Sequence, residues 1–282
     1  MSGKLEEFVR SATHMPALPT MVEKLLLALN KPSVSVDELS KIVSTDTVFS
    51  AKVLKMANSV FYFRAEPAAT LKIATVRLGH KTIRSLAVTV WTQTFKTFPL
   101  KKTEQDLIAE LLQHGTAAAV GASLLVQQVQ GSLAEDAYMA GLLHDIGRLA
   151  LICQLGGRYQ AEVLNRAIAE QQAIQDVEQD VLGFEHAMLG AHLLQSWHIS
   201  DVAVQAAARH HRAAIYPEKE PLVAAVALAD DLASRKGFNL AQNTPRLKRD
   251  AFMEFFRITD LPAFEEQWKS KLQSLTQSME NL

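Results

Sequence analysis

Apolar residues recur at intervals of three and four along almost the whole chain, and this spacing constrains the fold more than any other feature. The segments 22–29, 39–43 and 53–57 all place their apolar side chains in this pattern, which indicates amphipathic helices. Ser35 and Glu38 have the spacing of a capping box at a helix start. Because no segment shows a convincing period of two, we predict an all-α protein.

Two interruptions of the helical pattern divide the chain. The first covers 94–104 and contains a proline and a pair of lysines, and the second covers 236–245, where glycine and asparagine residues accumulate. We therefore predict an amino-terminal helical bundle at 1–100. It is expected to pack on a helical domain at 101–236, which is followed by a helical extension at 237–282.

The overall charge argues against a non-specific nucleic-acid binder. The chain has 29 Lys+Arg against 30 Asp+Glu, a formal net charge of −1, so the broad positive field that such proteins use is missing. One stretch, 67–103, has no acidic residue. We interpret it as a solvated face or as a docking surface for an acidic partner, rather than as a nucleic-acid site. Its cations are Lys72, Arg77, Lys81, Arg84, Lys96, Lys101 and Lys102.

The amino terminus and the apolar runs predict a cytoplasmic protein without a membrane partner. The first ten residues are polar and mixed in charge, whereas an export signal would need an apolar run. The longest apolar stretches, such as Pro221–Ala229, are far shorter than the ~20 residues needed to cross a bilayer.

An apolar run from Ala137 to Cys153 places three polar residues, His144, Asp145 and Arg148, where a helix would be mostly buried. A buried carboxylate is normally paired, hydrogen-bonded or bound to a metal. One interpretation is an Asp145–Arg148 ion pair on one helix face, with His144 as a core histidine. The other is a metal site, because imidazole and carboxylate are the usual ligands of Zn, Fe or Mn.

Further histidines and an aspartate occupy comparable places in other predicted helices. His114 and His186 are each expected to open a helix, and His210 and His211 end an Ala-rich helix. Asp230 lies inside the apolar segment LVAAVALADDLA. Each could be a surface or capping residue on its own, but one shared site explains all of them together.

The order of these residues resembles the HD-domain metal-dependent phosphohydrolases, and in particular the two-metal HD-GYP branch. The resemblance implies that Asp145 bridges two metal ions, and that Asp145 and Arg148 are catalytic, with Arg148 contacting a phosphate oxygen. After His211 the chain keeps Tyr216-Pro217 but lacks the acidic residue and the glycine-rich turn of the GYP signature. The implied ligands of the first metal are His114, His144, Asp145 and Asp230. Those of the second are Asp145, His186, His210 and His211.

The chemistry of this ligand set bears on the metal. Histidine-rich ligation favours one or two divalent transition-metal ions over Mg²⁺ and does not choose among Fe, Mn, Ni and Zn. Two such ions would stabilise both the attacking and the leaving oxygen of an in-line displacement.

Several longer motifs resemble the HDOD family, an HD-related output domain of bacterial signalling proteins. The resemblance covers roughly 15–235. It implies a signal-transduction module that acts through ligand and protein contacts, with a signalling protein or a small phosphorylated ligand as its partner. The alternative is an active phosphohydrolase, either a phosphomonoesterase or a cyclic-dinucleotide phosphodiesterase. The motifs are MPALP at 15–19, the segment 35–46, MANSVFY at 56–62, VRLGHKTIRSLAV at 76–88, GLLHDIGRLAL, GFEHAMLGAHLLQSW and ARHH.

Overall fold

The structure, a computed structural model, describes residues 3–12, 17–31, 33–59, 62, 66–212, 216–238, 247 and 249–280, with the main chain alone at 278–280. Within these residues all regular structure is helical, which confirms the predicted all-α class. The α-helices are α1 Gly3–Ser11, α2 Thr20–Leu29, α3 Val36–Val43, α4 Thr47–Ala57, α5 Leu71–Gln93, α6 Lys102–Gln130, α7 Ala134–Leu143, α8 Ile146–Leu155, α9 Asn165–Glu170, α10 Ile174–Leu182, α11 His186–Ser196, α12 Asp201–Arg209, α13 Pro221–Arg235, α14 Arg249–Phe255 and α15 Leu261–Glu280.

The chain forms two compact units. The larger contains Met1–Pro16 and Phe95–Lys269, and the smaller contains Ala17–Thr94 and Ser270–Leu282. The division predicted from the sequence, 1–100, 101–236 and 237–282, stays a prediction. In the two units, the residues ahead of α2 belong to the larger one.

In the smaller unit, α2 to α5 form a bundle with an apolar interior. Ser35 caps α3 as the sequence predicts, since its hydroxyl accepts the Glu38 N–H at 3.1 Å. Asp46 caps α4 in the same way, at 2.9 Å from the Phe49 nitrogen. Gly79, with φ of 77°, kinks α5, and a positive φ of this kind favours glycine.

The larger unit is built on the long helix α6, which packs against α7 and α13. Small residues allow the close approach: a Cβ at Gly141 of α7 would lie 2.8 Å from the Cα of Ala119 in α6. The indole Nε1 of Trp268 donates to the carbonyl of Ala117 at 2.9 Å, which ties the start of α15 to α6. These contacts hold α6, α7 and α13 around one buried region.

Two local predictions are wrong. His114 does not open a helix but lies inside α6, which begins twelve residues earlier at Lys102. The apolar run 137–153 is not one helix, because α7 ends at Leu143 and α8 begins at Ile146. Parts of three predicted features, at 15–16, 60–61 and 239–245, lie outside the described residues.

No helix in the described part of the chain combines the length and the apolar character that crossing a membrane requires.

Candidate metal centre

The structure brings all seven predicted ligand side chains together in the larger unit. They form two adjoining clusters, and within each cluster one ligand atom from every residue lies within 4.8 Å of the others. The role of these residues as metal ligands stays a prediction, but their convergence is a feature of the fold. The first cluster is His114, His144 and Asp230, and the second is Asp145, His186, His210 and His211.

The break between α7 and α8 places two successive residues in the pocket. His144 still has helical angles, whereas Asp145 has φ −100° and ψ 15° and leads into α8. A Cβ at Gly147 would overlap the main-chain oxygen of His186, and it would lie 2.8 Å from the nitrogen of Gly190. The missing side chain at Gly147 therefore lets α8 approach α11 closely enough for Asp145 to reach His186.

The carboxylate of Asp145 faces both clusters. Its Oδ1 lies 3.3 Å from His186 Nε2 and 3.5 Å from His210 Nε2. Its Oδ2 lies 3.7 Å from His144 Nε2 and 3.8 Å from His114 Nε2. One side chain is therefore placed to contact a cation in either cluster.

The first cluster has the donor set of a cation site. His114 Nδ1 lies 2.6 Å from the Phe238 carbonyl oxygen, and His144 Nδ1 lies 2.7 Å from that of Gly141. Because a carbonyl only accepts, each imidazole donates from Nδ1 and, when neutral, presents a lone pair at Nε2. The two Nε2 atoms are 3.2 Å apart, and Asp230 Oδ1 is 3.1 Å from that of His114. A cation between these lone pairs would relieve their repulsion, so the residues fit a metal.

The second cluster also directs histidine nitrogens into a shared space beside a carboxylate. His210 directs Nδ1 to the carbonyl of Ala207 at 3.0 Å, and the Nε2 atoms of His186 and His211 face each other at 3.1 Å. Asp145 Oδ1 and His210 Nε2 are buried and have no hydrogen-bond partner among the described residues. Buried polar atoms of this kind call for an explanation such as an ion, and these two point at each other across 3.5 Å.

Arg148 forms the ion pair that the sequence suggests. Its Nη1 donates to Asp145 Oδ2 at 3.1 Å, and its side chain is buried. Burial lowers the pKa of the guanidinium, but Asp145, Tyr159 and Glu178 together raise it by more, so the group stays charged. The structure thus gives Arg148 a role in holding Asp145, while its predicted contact to a phosphate stays a prediction.

The electrostatics of the pocket also fit a cation. Burial raises the pKa of Asp145, but His144, Arg148, His186 and His210 together outweigh it and hold that pKa well below its usual range. Burial lowers the pKa of His144 to about 4. When the histidines give up their extra protons to bind a metal, the carboxylates of Asp145 and Asp230 outnumber the single positive charge of Arg148. A divalent cation would balance this excess of negative charge.

Glu178 and Tyr159 were not predicted from the sequence. Glu178 is fully buried in α10, and its Oε2 lies 2.6 Å from His186 Nδ1, while Tyr159 donates its hydroxyl to Oε1 at 2.6 Å. Burial lowers the pKa of His186, but Glu178 and Asp145 raise it by more, to about 9. A signal was present, because Glu178 lies one turn after Ile174 and next to Val177, on the apolar face of α10.

An all-helical fold around a buried His-Asp pair, with five further histidine and aspartate side chains in the same pocket, defines the chain as an HD-type helical protein. The family model of the HDOD domain matches residues 15–213 of this chain. The chain belongs to the HDOD domain family. Of the seven predicted ligands, Asp230 alone lies beyond the matched residues.

One curated relative matches most of this chain. An uncharacterised protein of Treponema pallidum is 24% identical over 291 residues, which cover 94% of this chain and 50% of that protein. The chain therefore spans about half the length of the curated relative that it matches.

Two crystal structures show the same fold. An HDOD domain protein of unknown function from Geobacter sulfurreducens has a TM-score of 0.71 at 23% identity, with 98% of this chain and 94% of that chain covered. A protein of Shewanella amazonensis, provisionally named a phosphohydrolase, has a TM-score of 0.68 at 25% identity, with 95% and 94% covered.

Proposed function

We propose that this chain is a bacterial signal-transduction module of the HDOD type whose pocket binds one or two divalent transition-metal ions. One observation carries the metal part of the proposal. Imidazoles anchored through Nδ1 to carbonyl oxygens direct Nε2 lone pairs at one another across 3.2 Å, next to ionised carboxylates. Nitrogen-rich ligation favours Fe, Mn, Ni or Zn over Mg²⁺.

The burial of the pocket supports a role of the metal in shaping the protein, and signalling would then act through the ligand and protein contacts that depend on this shape. Each of the seven predicted ligand side chains is about nine-tenths buried or more. A metal in such a place would stabilise the folded unit, as structural metals do. The partner in this proposal is a signalling protein or a small phosphorylated ligand, recognised by a surface whose shape depends on the occupied pocket.

Metal analysis tests the proposal directly. Protein purified without added metal is expected to contain between one and two equivalents of transition metal by elemental analysis, because the negative charge of the pocket favours retention. Removing the metal with a chelator should lower the melting temperature, and adding it back should restore it. Absence of metal after purification and after reconstitution with Mn²⁺, Fe²⁺, Ni²⁺ or Zn²⁺ would contradict the proposal.

The second candidate is a metal-dependent phosphohydrolase. It is favoured by the Asp145 carboxylate, whose two oxygens face different clusters, and by the provisional name of the Shewanella protein. Metal ions bound there would act as Lewis acids on a phosphoryl group and lower the pKa of water toward ~7. The chain itself would hold Asp145 ionised through Arg148 and would exclude bulk water by burial.

Turnover separates the two candidates. If the chain is a hydrolase, a panel of phosphomonoesters and cyclic dinucleotides with Mn²⁺ should show hydrolysis that Asp145→Asn abolishes. Asp231→Asn, a matched change at a buried aspartate that pairs with Arg235 instead, should leave the rate within about twofold. Metal-loaded protein that hydrolyses no member of the panel would favour the signalling role.

A further inference from the structure

Glu178 lies next to the second cluster, and both of its carboxylate oxygens accept hydrogen bonds. Oε2 accepts the main-chain N–H of His186 at 2.7 Å and lies 2.6 Å from His186 Nδ1. Oε1 accepts the hydroxyl of Tyr159 at 2.6 Å. The carboxylate is fully buried, so its oxygens are hydrogen-bonded to these three donors instead of to bulk water.

This arrangement fixes one tautomer and one orientation of His186. An ionised carboxylate only accepts, so His186 must carry its proton on Nδ1 and direct Nε2 toward Asp145, at 3.3 Å. The second bond, to the first N–H of α11, ties the ring to the helix that carries it. The imidazole therefore cannot turn without breaking its hydrogen bond to Glu178, whose oxygen is also held by the first N–H of α11.

The two clusters differ in what supports their histidines. Neutral carbonyl oxygens accept the Nδ1 hydrogen bonds of three histidines: Phe238 that of His114, Gly141 that of His144 and Ala207 that of His210. For His186 the acceptor is the carboxylate of Glu178. A carboxylate behind an imidazole raises its basicity as a ligand, and removing such a partner usually costs 10- to 100-fold in metal affinity.

We propose that Glu178 is a positioning residue that makes the cluster of Asp145, His186, His210 and His211 the tighter of two metal positions. The proposal rests on the proposed metal binding and adds an order of filling to it. The first ion enters the cluster supported by Glu178, and the second enters the cluster of His114, His144 and Asp230. Both ions share Asp145.

A purely structural role for Glu178 makes a different prediction. Glu178→Gln keeps an oxygen that can accept both hydrogen bonds from His186, and its amide group can donate to the Tyr159 hydroxyl oxygen. The variant therefore retains the geometry and loses the charge. If Glu178 only accepted the free main-chain N–H at the start of α11, this substitution would leave metal affinity unchanged.

A titration of the metal-free full chain with Co²⁺, followed by visible absorption and calorimetry, tests the proposal. Two binding steps are expected. Glu178→Gln should weaken the tighter step by about 10- to 100-fold and leave the weaker step in place. Asp230→Asn should weaken the other step. Glu104→Gln, at a buried glutamate that accepts the Lys101 N–H at 2.7 Å, should change neither.

The outcomes are distinct. If Glu178→Gln changes no step, or weakens both steps equally, the inference is overturned while metal binding stands. If the wild-type chain binds a single ion, Glu178→Gln must lower the affinity for that ion, and Asp230→Asn must lower it less. If the wild-type chain binds no ion, the proposed function fails and the inference fails with it.

A second measurement covers the case in which Glu178→Gln does not fold. Long-range ¹H–¹⁵N spectra of the Zn²⁺-loaded chain report the protonated nitrogen of each histidine. Tyr159→Phe removes one donor to Glu178 and should shift the Nδ1–H signal of a single histidine, whereas Glu104→Gln should shift none. If Tyr159→Phe moves no histidine signal, Glu178 does not act through His186.

Discussion

Asp145→Asn is expected to abolish tight binding of both metal ions. The two oxygens of this carboxylate face different clusters, at 3.3 Å from His186 Nε2 and 3.7 Å from His144 Nε2. An amide has the same shape but carries no charge, and its nitrogen repels a cation. We therefore expect both binding steps in a Co²⁺ titration to weaken by more than about 100-fold, beyond the usual effect of a residue that only supports a ligand.

Stability has to be measured alongside binding in this variant. The substituted amide keeps an oxygen for Arg148 Nη1 but removes the charge that is hydrogen-bonded to the buried guanidinium, and breaking such a pair can cost about 3–5 kcal/mol. Circular dichroism and thermal melting of the metal-free protein show whether the variant is folded.

Asp231→Asn is the matched control. Asp231 is as buried as Asp145, but its carboxylate pairs with Arg235 at 2.8 Å. Its substitution should leave both binding steps unchanged. A folded Asp145→Asn variant that binds two ions with wild-type affinity would exclude Asp145 as a shared ligand.

The helical class could be predicted from the sequence because it depends on local patterns. Apolar spacing of three and four indicates a helix regardless of what the helix packs against. The cap at Ser35 is local as well, since the hydroxyl and the N–H that it binds are three residues apart.

The members of the pocket could be predicted from residue type, because ionisable groups in apolar segments need partners. Their local structure could not. The break at His144 and Asp145 interrupts a run whose apolar residues fit one continuous helix. The cause is tertiary, because α8 must turn to pack on α11 where Gly147 meets His186.

Glu178 shows a different limit. Its neighbours in the chain include Gln175, Gln179 and Asp180, so an acidic residue in this segment is typical of a solvated face. Its partners, Tyr159 and His186, come from two other elements. The position of Glu178 on the apolar face of α10 was a signal, but no short motif connects it to the histidines.

The close contact of α8 with α11 leads to the second large effect. Gly147→Ala would place a methyl group against the main-chain oxygen of His186 and 2.8 Å from the nitrogen of Gly190. Main-chain atoms cannot rotate away as a flexible side chain can, so the two helices must separate. Overpacking costs about 1–3 kcal/mol and occasionally more. A clash with main-chain atoms lies at the upper end of that range, so we expect the melting temperature of the metal-free chain to fall by roughly 6–12 °C.

The same substitution should also weaken metal binding, because moving α8 from α11 moves Asp145 from His186. Gly131→Ala is the control: it lies after α6 with φ of −55°, and a Cβ there would have no neighbour within 4 Å. That variant should melt within about 2 °C of the wild type, since a surface substitution usually changes stability by less than about 0.5 kcal/mol. The inference is wrong if Gly147→Ala melts like Gly131→Ala and keeps its metal affinity. In that case the close packing of α8 on α11 does not depend on a glycine at 147, and other contacts bring Asp145 near His186.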